Sequence, residues 1–328
     1  MPANPPISRL KPPALRPGDT IGVVAPASNI KAELLELGCA TLHQLGYKTI
    51  YSGSIFDQDL YFAGSVERRV RELEDMFVDP QVRAIICARG GYGTNYLLNA
   101  IDLEKIKSHP KIFFGYSDIT SLLTYWTDTT GLVTFHGPMV TKDFARSDGV
   151  DSASWESAVR GISQWAIDTG PNSGVEPLVE GKADGILYGG CLSMLSASLG
   201  TPYEIHTAGT ILFIEDVSTK PYQIDRMLMQ LKLAGKLDDV RGIVFGEMLE
   251  CAQKKDQEYT LQEVLLRVVG QLGIPIACGL RSGHVSRQNV TLPLGVHAVL
   301  EVSSRQVELK ILESATAPAL ARTGGLRS

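Results

Sequence analysis

The stretch KIFFGYSDIT, residues 111–120, decides how this chain is read. Ile112 to Phe114 form a short apolar run, Gly115 loosens the backbone, and Ser117, Asp118 and Thr120 carry the side chains that open helices. The pattern predicts a buried strand, a sharp turn and a helix start, with Ser117 at the turn. A serine there presents its hydroxyl to a cleft beside the positive end of a helix. The alternative is a serine that only caps the helix. Ile119 also stands where a G-x-S-x-G motif would place its second glycine.

Working outward, the first half alternates apolar runs with helical spacing. TIGVVA (20–25), KTIY (48–51), VRAIICA (82–88), IFF (112–114) and LVTF (132–135) read as strands. Between them, Leu34, Leu35, Leu37, Leu42 and Leu45, and later Val70, Leu73, Met76 and Phe77, recur at helical intervals. Strands alternating with helices predict an α/β fold with a mainly parallel sheet flanked by helices. Ligands of such sheets sit at the carboxyl ends of the strands, where Ser117 and a glycine loop at 90–93 both fall.

From Ala145 to about Asp184 the pattern dissolves into turn formers, apart from a short helical piece around Trp155 to Trp165. The expected organisation is an N-terminal α/β domain over 1–145, a linker over 146–183, and a C-terminal α/β domain with antiparallel strands over 184–328. In the latter, Cys191 to Leu199 reads as a helix, TILFIE (210–215) as a strand, and VTLPLG, HAVLEV and VELKIL as short antiparallel strands. The tail from Glu313 is rich in small residues and reads as flexible.

Composition narrows the function. The 328 residues are 44% hydrophobic and 20% charged, with a net charge of −5. That suits a globular protein and argues against nucleic acid as partner, which needs a basic face. The five cysteines include no C-x-x-C pair, so neither a disulfide scaffold nor a zinc module is expected, and a reducing compartment suits them. No H-E-x-x-H or calcium loop occurs, no apolar run is long enough to cross a membrane, and the proline-rich N-terminus lacks an apolar signal core. The expectation is a cytoplasmic protein without metal or cofactor.

Further residues stand where chemistry occurs. Arg89, Gly90, Gly91, Tyr92 and Gly93 follow the VRAIICA strand. The glycines suit a phosphate cradle, an oxyanion hole or simply a tight turn. Glu215 ends an apolar strand and Asp216 follows it, so spacing leaves the choice between them open. Among six histidines, His284 lies in a glycine-containing loop after a strand, and His136 follows another strand in HGP. Spacing does not separate these two as a base.

Taken in order, these segments resemble the LD-carboxypeptidases, a family of serine peptidases that includes the microcin-C immunity hydrolases. The resemblance runs from LRPGDTIGVVAPAS (15–28) through ARGGYG (88–93), GYSDIT (115–120), HGP (136–138), FIEDV (213–217), YQIDRML (222–228) and GIVFGE (242–247) to GLRSGHV (279–285). It implies a catalytic Ser117 nucleophile, Glu215 as the orienting carboxylate and His284 as base and then acid, with the backbone amides of Gly91 and Asp118 as oxyanion donors. Arg89, Tyr92, His136 and Cys191 become candidates for contact with substrate. Cys191 stands where the family usually has asparagine. The resemblance further implies a homodimer, no cofactor, and release of terminal D-alanine from a murein tetrapeptide in cell-wall recycling. Its rival within the family is cleavage of an aminoacyl-nucleotide, which stacks its base on a loop aromatic. Here the linker is modest, and Trp155 and Trp165 read as parts of a short helix, which favours the peptidase. A rival outside the family is a non-enzymatic small-ligand binding protein.

Overall fold

The structure, a computed structural model, describes residues 8–170 and 173–319. The first half lays down β1 (Thr20–Val24), β2 (Lys48–Ile50), β3 (Val82–Cys87), β4 (Ile112–Gly115) and β5 (Thr134–His136). Helices α1 (Ala32–Gln44), α2 (Val66–Val78), α3 (Leu103–Ser108) and α4 (Thr120–Thr129) alternate with them. The second half adds α5 (Ser152–Val159), β6 (Trp165–Ile167), β7 (Glu176–Val179), β8 (Gly181–Cys191), α6 (Leu192–Ala197), β9 (Thr210–Glu215) and α7 (Pro221–Leu233). It continues with β10 (Gly242–Gly246), α8 (Leu261–Val269), β11 (Ile276–Leu280), β12 (Leu292–Leu294), β13 (His297–Val302) and β14 (Val307–Ile311).

These strands form two sheets. The first runs β12-β5-β4-β3-β1-β2 and is parallel except for β12, which pairs antiparallel with β5. Its central strands are buried on both faces, as the unbroken apolar runs require. The second runs β6-β14-β13-β8-β9-β10-β11-β7, with a parallel centre (β8 to β11) and antiparallel flanks. The α/β reading, mainly parallel in its first half and with antiparallel strands in its second, describes this architecture.

Three segments differ from their sequence reading. The stretch 146–183 is not bare connection, because it supplies α5 and both edge strands of the second sheet. Trp165 lies in β6 rather than a helix, and Pro177 sits in β7, where an edge position tolerates the missing donor. Residues 181–191, which the sequence reading divided between the end of the linker and the start of a helix, form β8, the longest strand among the described residues, so Cys191 ends β8 and stands at the N-cap of α6 rather than inside a helix. The start of the tail is docked: Ala14 N–H donates to Ala317 O (2.9 Å), Ala317 N–H to Pro12 O (2.8 Å), and Ala315 is fully buried. The rest of the expected flexible tail, 320–328, lies outside the described residues. Among the described residues no helix is long and apolar enough to cross a membrane.

The loops at the carboxyl end of the first sheet are fastened from below by α2. Its Arg69 is 1% exposed and donates to Pro26 O (2.8 Å) and Gly93 O (2.9 Å) through Nη1 and to Gly64 O (3.2 Å) through Nε. One guanidinium thus holds the loop after β1, the entry to α2 and the glycine loop after β3, using its rigid fork of donors. Arg69→Met keeps the bulk and orphans three buried carbonyls. Urea unfolding should show a loss of about 3 kcal/mol; an unchanged midpoint would contradict this role.

Candidate active site

The chain leaves β4 at Gly115, passes through an extended Tyr116 (φ −156°) and turns at Ser117, whose φ is +63°. A 3-10 turn over Ser117–Ile119 then leads into α4. A serine in left-handed backbone costs roughly 1–2 kcal/mol, so the surroundings must impose it. Two glycines make the room. A Cβ on Gly115 would stand 2.6 Å from Ile119 Cγ2, and one on Gly90 would stand 2.8 Å from Ser117 Cβ. The next residue is tied to the glycine loop: Thr94 N–H donates to Asp118 Oδ2 (2.8 Å), and Thr94 Oγ1 donates to Asp118 O (2.7 Å). Thr94 drew no attention in the sequence, because a single threonine after a glycine run carries no distinguishing pattern.

Glu215 ends β9 with no solvent exposure, and it rather than Asp216 meets the histidine. Its Oε2 accepts from the His284 ring nitrogen Nδ1 at 2.7 Å and from the His284 backbone N–H at 3.1 Å. Burial alone would push this carboxyl up. The charge and hydrogen bonds of the neighbouring imidazoles outweigh it and hold the carboxyl at about 2. For His284, burial opposes the charged ring, but the adjacent carboxylate prevails and the net shift is upward from the ordinary histidine value. Asp216 instead caps α6, accepting from Ser193 N–H (2.9 Å) and Ser193 Oγ (2.7 Å).

His284 rides on a loop that leaves β11 in the second sheet and returns as β12 in the first. Asn289, fully buried, closes this loop: its Oδ1 accepts from Gly283 N–H and its Nδ2 donates to Gly283 O, both at 3.0 Å. Sequence reading missed Asn289, since its role appears only once the loop is closed. The crossing carries the His284 ring to the ring of Tyr116, the residue before Ser117, edge-on at 5.1 Å. Behind Tyr116 lies the buried Asp143. Burial lifts its carboxyl to about 6 against hydrogen bonds from Met139 N–H, Asn289 and Tyr116.

The other candidates separate. His136, a candidate for contact with substrate, has no solvent exposure in this fold. Its Nδ1 pairs with Ser282 Oγ at 3.0 Å, and its Nε2 faces Glu215 Oε1 at 3.8 Å, behind the carboxylate. Cys191 is also buried. Burial, with Glu215 and Asp216 nearby, pushes its thiol far above the ordinary range, and a thiol held protonated is a poor nucleophile and a poor hydrogen-bonding partner for substrate. Arg89 is half-buried and donates to Asn29 O (3.3 Å), while Tyr92 is exposed at the rim. Gly91 has φ +113°, and a Cβ there would collide with Ser28 Oγ at 2.3 Å. The amides of Gly91 and Asp118 carry no hydrogen bond to another described residue.

A hydroxyl on a strained turn, two amides without an internal acceptor, and an imidazole whose Nδ1 is engaged by a buried carboxylate together suit nucleophilic acyl transfer. The strain has a consequence for stability. Ser117→Gly relieves the positive φ and Ser117→Ala keeps it, so the glycine variant should be the more stable by about 1 kcal/mol in denaturant melts. Equal stability would mean that the turn stores no strain.

The sequence pattern of the LD-carboxypeptidase N-terminal domain matches residues 21–137, and that of the C-terminal domain matches residues 184–300. A probable murein peptide carboxypeptidase of Bacillus subtilis is 41% identical over 298 residues, which cover 90% of this chain and 92% of the relative. Two solved structures superpose over nearly the whole chain. One is an MccF-like protein of Bacillus anthracis (TM-score 0.83, 28% identity, covering 92% of this chain and 99% of that one). The other is a muramoyltetrapeptide carboxypeptidase of Oxalobacter formigenes (TM-score 0.78, 28% identity, covering 92% and 100%). Both halves of the fold and the full span of the relatives agree: the chain belongs to the LD-carboxypeptidase family of serine peptidases.

Proposed function

We propose that this enzyme hydrolyses the L,D-peptide bond that releases terminal D-alanine from murein tetrapeptides. Ser117 is the nucleophile, His284 the general base and then acid, Glu215 the carboxylate that orients it, and the amides of Gly91 and Asp118 the oxyanion donors. The carrying observation is the 2.7 Å contact from Glu215 to His284 Nδ1, beside an elbow that holds Ser117 at φ +63°. The likeness to murein peptide carboxypeptidases supports the substrate class.

In this mechanism Nδ1 is occupied by Glu215, so Nε2 is the nitrogen that receives the Ser117 proton. The Ser117 oxygen bonds to the carbonyl carbon of the L-centre, and the developing oxyanion is met by the two amides. Nε2–H then protonates the departing nitrogen of D-alanine as the C–N bond breaks, leaving an acyl-serine. Water repeats the sequence: His284 takes its proton, the hydroxyl adds to the carbonyl, and Ser117 leaves with the proton returned. Glu215, held at about 2, stays ionised throughout and stabilises the imidazolium.

Trp155 supports the peptidase over the aminoacyl-nucleotide reading. It is 1% exposed and packs on Phe114 (4.6 Å) and Phe144 (5.2 Å) in the core, where no base can reach it.

Purified wild-type protein should release D-alanine from a murein tetrapeptide, and Ser117→Ala should lose about 10⁴-fold or more in kcat. Inertness toward the tetrapeptide together with cleavage of an aminoacyl sulfamoyl adenosine would overturn the substrate assignment. The pH profile gives a separate check. His284 must be neutral to accept a proton, and its affinity for that proton is raised in the fold. Activity should therefore rise with pH through a midpoint above the ordinary histidine value of about 6.5. A midpoint clearly below it, or a rate flat across that range, would remove His284 as the base.

A further inference from the structure

After β5 the chain makes a single π-helical turn over Val140–Phe144, a rare form that is frequent at functional sites. This segment is bonded to three parts of the candidate site. Thr141 gives both its N–H (2.9 Å) and its Oγ1 (2.8 Å) to Ala88 O, just ahead of the glycine loop. Arg146, shortly after the turn, gives Nη2 to Ser286 O at 2.9 Å, two residues past His284. Between them Asp143, which is buried, accepts hydrogen bonds from Tyr116, the residue before Ser117, and from Asn289, which closes the His284 loop. One carboxyl therefore joins the nucleophile elbow to the histidine loop, and it touches neither reacting group itself.

The bonding pattern requires a charge. An ionised carboxylate is acceptor-only and can take all of these donors: Met139 N–H (2.8 Å), the Asn289 amide, and the Tyr116 phenol, which burial keeps protonated. A proton on Asp143 turns one accepting position into a donor, and one partner must let go. Met139 caps the same turn and is held a second time, by Asp143 N–H to Met139 O at 3.0 Å. The loss therefore falls on Tyr116 or Asn289, and so on the elbow or the histidine loop. Burial works against the charge and lifts this carboxyl to about 6. The groups around it are few. Arg146 favours the ionised form, and Tyr116 stays neutral beside it. Helix α1 packs on the turn through Gly38, and burial raises the thiol of its Cys39 so that it carries no charge. Lys142 bears on His284, and Glu215 on Tyr116.

We propose that Asp143 is a positioning residue for acyl transfer: as a carboxylate it holds Tyr116 and Asn289 together, so that Ser117 and His284 keep their register, and protonation releases one of the two. The inference rests on Ser117 as nucleophile and His284 as base, and not on the choice of substrate.

The test reads the rate at which a fluorophosphonate labels Ser117, displacing fluoride, from about pH 5 to 8, with D-alanine release from a murein tetrapeptide followed in parallel. At the acid end wild-type labelling should be lost to two protons, one on His284 and one on Asp143. Asp143→Asn, neutral and of the same shape, should label about tenfold or more slowly at pH 8 and lose the second proton from its profile. Its stability at pH 8 should not fall. A carboxyl that binds its proton more tightly in the fold stabilises the fold least once ionised, and that stability is lost as pH rises from the ordinary aspartate value of about 4 through about 6. Tyr116→Phe deletes one bond to the ionised form, so it should move the second proton to higher pH; this variant carries the test should Asp143→Asn not fold. A one-proton acid limb in the wild type would overturn the proposal. So would an unmoved Tyr116→Phe profile, or an Asp143→Asn protein that is less stable yet keeps the wild-type rate and profile. Normal labelling without D-alanine release would overturn the substrate reading alone. Absence of Ser117 labelling at every pH would overturn the nucleophile, and this inference with it.

Discussion

The carboxylate of Glu215 sets the terms for the rest of this structure. A carboxylate with no solvent exposure is costly unless charge and hydrogen bonds replace the water it lost. Here His284 supplies two contacts to one oxygen, and His136 faces the other. The fold is arranged to deliver those partners from different places. Glu215 ends a central strand of the second sheet, His136 ends a strand of the first, and His284 lies on the crossing between them. Docking of the two sheets and neutralisation of the carboxylate are thus one event. A loosened sheet contact would leave a buried charge without compensation, and an unpaired Glu215 would remove a reason for the sheets to meet.

The same junction explains the density of glycine around it. Gly283 packs where a Cβ would stand 2.7 Å from Glu215 Cδ, and Gly190 lies where one would stand 2.7 Å from Thr120 at the start of α4. Cys191 N–H then donates to Thr120 Oγ1 at 3.1 Å, joining β8 to the helix that follows the elbow. These positions have positive φ, so glycine answers both the backbone and the space. The Cys191 thiol lies among acidic neighbours.

The fold was largely legible where burial dictates pattern. TIGVV, VRAIIC and IFFG are strands because both faces of a parallel sheet are covered, and α1 and α2 show their apolar spacing directly. It was illegible where position in the sheet overrides local pattern. The edge strands β6 and β7 are too short to announce themselves, and β8 carries glycines demanded by its contacts rather than by a turn. At the candidate site, strand-end and turn signals singled out Ser117, Glu215 and the glycine loop. The choice of His284 over His136 came from the motif resemblance, since spacing left them level. Arg69, Thr94 and Asn289 stayed hidden because their value lies in long-range bonds to backbone, which no local window displays.

His136 shows how burial changes the meaning of a residue type. In sequence it is a histidine after a strand, open to any cleft role. In the fold its ring has no solvent exposure. Its Nδ1 is engaged by Ser282 Oγ, two residues before His284, so the ring that faces the back of Glu215 also braces the loop that delivers His284 to the front. Only Oε2 of the carboxylate is held by hydrogen bonds, both from His284, while Oε1 faces His136 Nε2 at 3.8 Å. Two bonds to one oxygen are the preorganisation that the proposed orienting role requires. Two histidines around one buried glutamate are therefore unequal: one is half-buried and meets the carboxylate through Nδ1, the other is enclosed, bonded to Ser282 through Nδ1 and facing the carboxylate at 3.8 Å through Nε2.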